Sequence, residues 1–151
     1  MTVRALGVAL GAWGLATALS APPLLAADPC TDPANAAKAN DALAKARAKN
    51  YAAADAGANA VLGACLTHPV ANQAMGQSLV AQKKYDAAIA RLTTALGAKP
   101  DLAYAYLWRG YAYYYKKQPD KMVGDFQTFL RLAPTAPEAS TVKQLLASLN
   151  R

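Results

Sequence analysis

The side chains that most often carry out catalysis are scarce in this sequence. It contains one histidine, His68, directly before a proline, and one glutamate, Glu138. The aspartates lie mostly at predicted turns and helix starts, where a carboxylate caps a helix or is solvated. No GxSxG, HExxH, phosphate-loop or dinucleotide-binding pattern occurs. The sequence therefore predicts a protein that is not an enzyme and that uses no cofactor and no metal ion.

Residues 1–27 have the pattern of a secretory signal peptide. Arg4 supplies a positive charge, residues 5–19 are apolar and uncharged, and two prolines follow before a short run of small residues. This order predicts cleavage near Ala27 and a soluble mature chain in a periplasm. An uncleaved membrane anchor is the alternative, because the apolar stretch is nearly long enough to span a bilayer.

Two cysteines, Cys30 and Cys65, would face an oxidising compartment after export. Cys30 lies just before the first predicted helix and Cys65 near the end of the second, and antiparallel helices bring those two ends together. A disulfide between them would contribute about 3–4 kcal/mol by closing a loop of the unfolded chain. A metal pair or a redox dithiol is the weaker interpretation, because the sequence has no CxxC spacing.

The elements that must position these residues recur with a period of 34 residues. Four pairs share this interval: Gly76 and Gly110, Pro100 and Pro134, Ala54 and Ala88, Tyr51 and Tyr85. Such a period is typical of stacked repeats that each contact mainly their neighbours. Apolar spacings of three and four predict two helices in each unit. We expect repeats over about residues 35–68, 69–102 and 103–136 within a domain of residues 28–151.

A last helix over about residues 136–149 has one apolar face and is expected to cover the open end of the array. Thr135 and Glu138 predict a capping box at its start. At the other end of the domain, Asp32 and Pro33 predict the N-cap and the first position of the first helix.

Two segments carry a family resemblance. The one ending at Pro134 resembles a tetratricopeptide repeat of the bacterial exported type, through Arg109, Gly110, Tyr113, Asp125, Phe126 and Pro134. Residues 69–100 resemble a second repeat, through Gly76, Tyr85, Ala88, Ala95 and Pro100. The resemblance implies an all-α fold, a right-handed superhelix of antiparallel helix pairs with about three repeats and a C-terminal capping helix. It also implies a concave groove, lined by the first helix of each pair, that binds a protein or a peptide.

One variant of that function is disfavoured. The chaperone-tail subclass of the family grips a terminal carboxylate with lysine, arginine and asparagine on the groove helices. The matching positions of this chain carry Ala39, Leu43, Ala74, Tyr104 and Trp108. The resemblance therefore implies a peptide-binding scaffold without that clamp.

Aromatic residues are concentrated in one predicted helix of the third repeat. Tyr106 and Tyr113 share the side of Gly110 and are expected in the core. The opposite side is predicted to be the partner-binding groove, formed by Tyr104, Leu107, Trp108, Tyr111 and Tyr114. The alternative, which is equally favoured, is that the terminal helix covers part of this side.

Lysines cluster at the predicted turns between the two helices of each repeat. The formal net charge is +7, and removal of Arg4 with the signal peptide leaves +6. Stacking would align the turns into a basic ridge, formed by Lys49, Lys83, Lys84, Lys116, Lys117 and Lys121. Such a ridge could dock on anionic lipid or glycan, although a solvated edge is the simpler interpretation. No nucleic-acid-binding motif appears, so a nucleic-acid partner is not expected.

One charged residue is predicted inside the last repeat. Arg109 occupies the position that carries Met75 in the preceding repeat, on the face that packs against the second helix. Asp125 is the nearest candidate partner on that helix, so we expect a structural ion pair between Arg109 and Asp125.

Overall fold

The computed structural model describes residues 28–149, so the predicted signal peptide over residues 1–27 lies outside the described residues. Seven α-helices follow one another: α1 (Pro33–Arg47), α2 (Tyr51–Leu62), α3 (Pro69–Ala81), α4 (Tyr85–Ala98), α5 (Ala103–Tyr115), α6 (Pro119–Leu132) and α7 (Ala139–Leu149). Between residues 28 and 149 there is no strand. Helices α1 and α2, α3 and α4, and α5 and α6 form pairs, and α7 packs on α6. The predicted all-α superhelix with a final capping helix is confirmed. No helix of residues 28–149 is long and apolar enough to cross a membrane.

Helix α3 lies at the centre of the array and contacts α1, α2, α4 and α5. Every residue from Ala71 to Ser78 is buried, and half of them are alanine, glycine or serine, which lets several helices approach at once. The buried amide of Asn72 is fully used. It donates to the carbonyls of Leu66 and His68 at 2.8 and 3.1 Å and accepts from Arg91 at 3.4 Å.

Glycines set how closely the helices of a pair cross. A Cβ atom at Gly76 would lie 2.4 Å from Cγ of Leu92, and one at Gly110 would lie 2.5 Å from Cε1 of Phe126. Leu92 and Phe126 are both fully buried. The two crossings therefore repeat one arrangement 34 residues apart, which explains why the period was readable at these glycines.

Gly110→Ala should destabilise the protein, whereas Gly124→Ala should stabilise it. The first change forces a methyl group into the ring of Phe126, and overpacking of this kind costs about 1–3 kcal/mol. At Gly124, an exposed position of α6, no atom lies within 4 Å of the added Cβ, so the gain in helix propensity of about 1 kcal/mol remains. Urea unfolding of both variants measures the two effects. If both substitutions changed the free energy of unfolding in the same direction, the close approach of α5 and α6 at Gly110 would be contradicted.

The third repeat fills its crossing with large side chains. Met122 and Phe129 replace the alanines of the second repeat and are buried together with Leu107 and Phe126. Val142 of α7 completes this cluster. The terminal helix therefore covers the end of the array with the first part of its apolar stripe, through buried Val142 and partly buried Leu145 and Leu146, whereas Leu149 at its end is exposed.

Helix ends follow the expected chemistry at α1 but not at α7. Asp32 is the N-cap of α1, and its carboxylate accepts from the backbone N–H of Ala34 at 2.9 Å. The predicted capping box of Thr135 and Glu138 is wrong. Helix α7 begins at Ala139, and the carboxylate of Glu138 instead accepts from the hydroxyl of Tyr104 at 2.9 Å. The short spacing between Thr135 and Glu138 suggested a hydrogen bond within the helix end, but in the folded chain the carboxylate of Glu138 is closer to Tyr104 of α5.

His68 has a structural role that the sequence did not reveal. It is the N-cap of α3, and its Nδ1 accepts from the backbone N–H of Ala71 at 3.3 Å. Only 4% of the residue is exposed, and burial lowers the pKa of His68 below its ordinary value of 6.5, more than its own backbone hydrogen bond raises it. The ring is therefore neutral at pH 7 and can accept this bond.

The turns between the paired helices share an unusual backbone conformation. Lys49, Lys83 and Lys117, spaced 34 residues apart, have φ values of 62°, 62° and 55°. Each lysine N–H donates to a carbonyl of the preceding helix, and the next residue's N–H closes a second bond across the same turn. This is the Schellman motif, whose left-handed position glycine usually occupies. The three lysines therefore end the first helix of each pair.

Candidate functional site

Two adjoining cavities form a groove on the side of the array lined by α3 and α5. Their volumes are about 550 and 420 Å³. We call them the aromatic cavity and the basic cavity. Both are bordered by Tyr51, Trp108 and Glu138, so they form one continuous groove with Trp108 at its middle. Residues from all three repeats, and the residue before α7, meet there.

The aromatic cavity is lined mainly by rings. Besides the shared residues, it is bordered by Tyr85, Tyr111 and Tyr115. Tyr85 stacks on Tyr115 with ring centroids 5.0 Å apart, and Trp108 lies 5.8 Å from Tyr111. These contacts hold the rings in fixed positions, which lowers the entropy that a ligand's binding would cost.

Helix α5 presents one stripe of aromatic residues to the groove. Tyr104, Trp108, Tyr111 and Tyr115 are separated by three or four residues, so they lie above one another on one face. Three of the five predicted groove residues, Tyr104, Trp108 and Tyr111, line the cavities with part of their surface exposed. This stripe is the surface that a ligand could contact.

The other two predicted groove residues have different surroundings. Leu107 borders the aromatic cavity, but it is fully buried in the core cluster that includes Val142. Tyr114 is 43% exposed and lines a separate cavity beside Leu149. Both residues lie on one side of α5, seven residues apart, and α7 reaches this side with Val142 in the cluster of Leu107 and with Leu149 in the cavity of Tyr114. The terminal helix therefore takes part of the predicted face, as the alternative expectation held.

Glu138 lies close to two tyrosines of the groove, Tyr104 and Tyr111. Its carboxylate accepts from Tyr104, and the guanidinium of Arg47 lies 5.4 Å above the ring of Tyr104. Burial, together with the hydrogen bond and the charge of Glu138, raises the pKa of Tyr104, and the charge of Arg47 opposes this. Burial and then the charge of Glu138 also raise the pKa of Tyr111. Both phenols stay protonated at neutral pH and can donate hydrogen bonds.

Basic side chains surround the opening of the groove. Arg47 and Lys49 line the basic cavity, and Lys83 lines the aromatic cavity. Glu138 is the one acidic residue that borders either cavity. The lining of the groove is therefore positively charged.

The six lysines of the predicted ridge do not form one uniform surface. Lys116 forms an ion pair with Asp86 of the preceding repeat, and the ammonium of Lys121 lies 5.4 Å above the ring of Tyr113. Lys84 is exposed at the start of α4. Lys117 lines the separate cavity beside Tyr114. Two of the lysines are thus engaged within the chain, and two others, Lys49 and Lys83, belong to the groove.

Arg109 and Asp125 meet between α5 and α6. Nε and Nη2 of Arg109 donate to the two carboxylate oxygens of Asp125, both at 2.8 Å. Nη1 donates to Thr93 of α4 at 3.1 Å. The side chains are only 18% and 9% exposed, and the bond to Asp125 is the main cause that raises the pKa of Arg109. The pair joins three helices and does not border the groove.

A disulfide joins Cys30 and Cys65, whose Cα atoms are 5.1 Å apart. It connects the segment before α1 to the loop after α2. Thr67 Oγ1 lies 3.7 Å from each sulfur. Within residues 28–149, no group of three His, Cys, Asp or Glu side chains could hold a metal ion.

Sequence reasoning missed several groove residues: Arg47, Tyr51, Gln77, Tyr85 and Tyr115. Tyr51 and Tyr85 were recognised as periodic positions, but their place at the first residue of α2 and α4 gave no signal that they turn toward the groove. Tyr115 follows Trp108 by two helical turns, and that spacing could have identified it.

Comparisons with known proteins concern the repeat and the fold. Residues 76–117 match the family described as TPR repeat. The fold is similar to the TPR domain of Arabidopsis OM64, with a TM-score of 0.65, 18% identity and coverage of 75% of this chain and 93% of that one. It is also similar to the first TPR of Spaghetti (RPAP3) bound to the HSP90 peptide SRMEEVD, with a TM-score of 0.62, 20% identity and coverage of 75% and 93%. The NMR structure of the first TPR domain of human RPAP3 is similar with a TM-score of 0.62, 20% identity and coverage of 76% of this chain and 93% of that one. A search of curated proteins gives no match.

Proposed function

Because this chain contains a tetratricopeptide repeat and has the fold of TPR domains, we propose that it is a scaffold that binds a peptide or protein segment in its groove. The observation that carries the proposal is the continuous pair of cavities, walled by aromatic side chains from successive repeats. The RPAP3 domain with the same fold holds a peptide, which supports this kind of ligand.

The chemistry of the groove suits a peptide. Tyrosine and tryptophan offer large apolar faces at a small cost in side-chain entropy, and their polar tips can bond to a peptide backbone. The rings of Trp108 and Tyr111 are already held by contact with each other, and that of Tyr115 by its contact with Tyr85. A ligand side chain that enters this cavity would displace water from apolar surface without first ordering the wall.

Tyr115→Ala should weaken partner binding at least about fivefold, because truncation of a buried interface tyrosine removes more than about 1 kcal/mol. Tyr114→Ala is the matched control. The two tyrosines are adjacent on α5 and similarly exposed, at 54% and 43%, but only Tyr115 borders the groove. Affinity for a captured partner can be measured by isothermal titration calorimetry. Equal affinity of the Tyr115→Ala variant and the wild type would contradict binding in this groove.

We also propose that the chain is exported to a periplasm and has no enzymatic activity. The charge, apolar stretch and small residues before Asp28 support export, and the disulfide suits an oxidising compartment. Intact mass spectrometry of the periplasmic fraction should find a chain that begins near Asp28 and has no free thiol. A chain that retains residues 1–27 would exclude cleavage.

Docking of the six-lysine ridge on anionic lipid or glycan is the alternative function. It has less support, because Lys116 and Lys121 are engaged by Asp86 and Tyr113. Binding through the ridge would collapse between low and moderate salt concentration, whereas contacts to the aromatic cavity would persist.

A further inference from the structure

Positively charged side chains outnumber negatively charged ones around the groove. Arg47, Lys49 and Lys83 border it, against the single carboxylate of Glu138. That carboxylate already accepts a hydrogen bond from Tyr104. Among residues 28–149, Lys49 and Lys83 form no salt bridge. Lys49 and Lys83 are therefore available to a ligand, whereas Arg47 contacts the ring of Tyr104 and the carboxylate of Glu138 is partly occupied.

The backbone at two of these cations adds an independent observation. Lys49 and Lys83 both have a φ of 62°, a conformation that disfavours side chains with a Cβ and that glycine adopts freely. Lys117 has the same conformation at the equivalent turn of the third repeat, away from the groove, so the conformation belongs to the turn and does not by itself require lysine. At these turns, glycine would end the helix equally well. What lysine supplies and glycine cannot is a charge at the opening of the groove.

The two cavities are adjacent but chemically different. One offers rings to an apolar side chain, and the other offers Arg47 and Lys49 to a carboxylate. Tyr51 and Trp108 border both cavities, so the two kinds of ligand side chain must lie close together along one peptide.

We propose that the groove recognises a peptide segment in which an acidic side chain lies close to an aromatic or large aliphatic one. The acidic group is held in the basic cavity by Arg47 and Lys49, the apolar group enters the aromatic cavity, and Lys83 at that cavity attracts a second acidic group or the approaching peptide. This rests on the proposed function, and adds to it the chemical class of the ligand. The ammonium groups come from turn residues and not from the groove helices.

Selection from a random peptide display library on the purified protein tests this ligand class. Enriched peptides should contain Asp or Glu within a few residues of Phe, Tyr, Trp, Leu or Ile. One enriched peptide, labelled with fluorescein, then serves as the probe for fluorescence anisotropy. Replacement of its acidic residues with Asn or Gln should lower its affinity at least about threefold, because it removes the charge that pairs with these exposed cations.

Glycine substitutions separate the charge from stability. Lys49→Gly/Lys83→Gly removes two cations and also the backbone strain, so the melting temperature should rise while affinity for the acidic probe falls at least about threefold. Lys117→Gly is the matched control, because it changes the same kind of turn and the same charge beside a different cavity. It should raise the melting temperature and leave the affinity unchanged.

Each other outcome overturns a different part of the account. Groove-dependent peptides without an acidic preference, or with a basic one, would overturn the ligand class and leave the groove as the binding site. Peptides whose affinity is unaffected by Tyr115→Ala would overturn the proposed function itself. If no peptide is enriched, both are overturned. Lysine-dependent binding to vesicles containing phosphatidylglycerol, but not to pure phosphatidylcholine vesicles, would then assign the lysines to a membrane surface.

Discussion

Asp125→Ala is expected to lower the free energy of unfolding by about 3–5 kcal/mol, because it leaves the guanidinium of Arg109 buried without a counter-charge. Asp125 accepts two bonds from Arg109 at 2.8 Å, and the arginine side chain is 18% exposed. The remaining bond to Thr93 cannot neutralise the charge. Urea unfolding followed by circular dichroism measures the change.

A double variant shows whether the loss comes from the unpaired charge. Arg109→Met/Asp125→Leu removes both charges and places methionine where the preceding repeat has Met75. Replacement of a buried ion pair by apolar residues of similar volume is often neutral, so this variant should recover most of the stability. A double variant as unstable as Asp125→Ala would assign the loss to packing. Wild-type stability of Asp125→Ala would contradict a structural role for the pair.

Cys30→Ala/Cys65→Ala is expected to lower the free energy of unfolding by about 3–4 kcal/mol in the chain-entropy model. The bond spans 35 residues and encloses α1 and α2, so it restricts a large part of the unfolded chain. Hydrogen exchange should show the greatest loss of protection in α1 and α2 and the smallest in α5 and α6. The backbones of α5 and α6 do not approach the first pair, to which α5 is linked through α3 and through the contact of Arg47 with Tyr104.

Reduction of the wild type provides the control for that result. The wild-type protein in a reducing agent should lose the same stability as the double cysteine variant, because both lack the same cross-link. Full stability of the variant would mean that the native packing of α1 and α2 does not depend on the disulfide.

The fold was predictable because its constraints are periodic and local. Gly76 and Gly110 mark helix crossings that admit no side chain, so both positions repeat visibly. Pro69 and Pro119 stand at the starts of α3 and α6, where proline is tolerated because the first helical N–H has no partner in the helix. Glycines at crossings and prolines at helix starts therefore allow the helix pairs to be predicted from short segments of the sequence.

The site was only partly predictable, because contacts between repeats decide it. The placement of Tyr114 and Leu107 depends on which side of α5 is covered by α7, and the sequence left that question open. The sequence placed Lys116 on the ridge, but its ion pair crosses to Asp86 in the preceding repeat. Glu138 was expected to form a local cap, but its carboxylate contacts Tyr104 at a separation of 34 residues.

The central claim is that a peptide binds in the groove beside Trp108. Trp13 and Trp108 are the only tryptophans of the sequence, so a chain that starts at residue 28 carries a single fluorescent tryptophan at the border of the two cavities. The most direct measurement is a titration of this chain with its captured partner or a selected peptide, following tryptophan emission and quenching by acrylamide. The account predicts a saturable shift of the emission to shorter wavelength and protection from acrylamide, both diminished in Tyr115→Ala and retained in Tyr114→Ala at the same ligand concentration. Saturable binding that leaves the emission and quenching of Trp108 unchanged would contradict it.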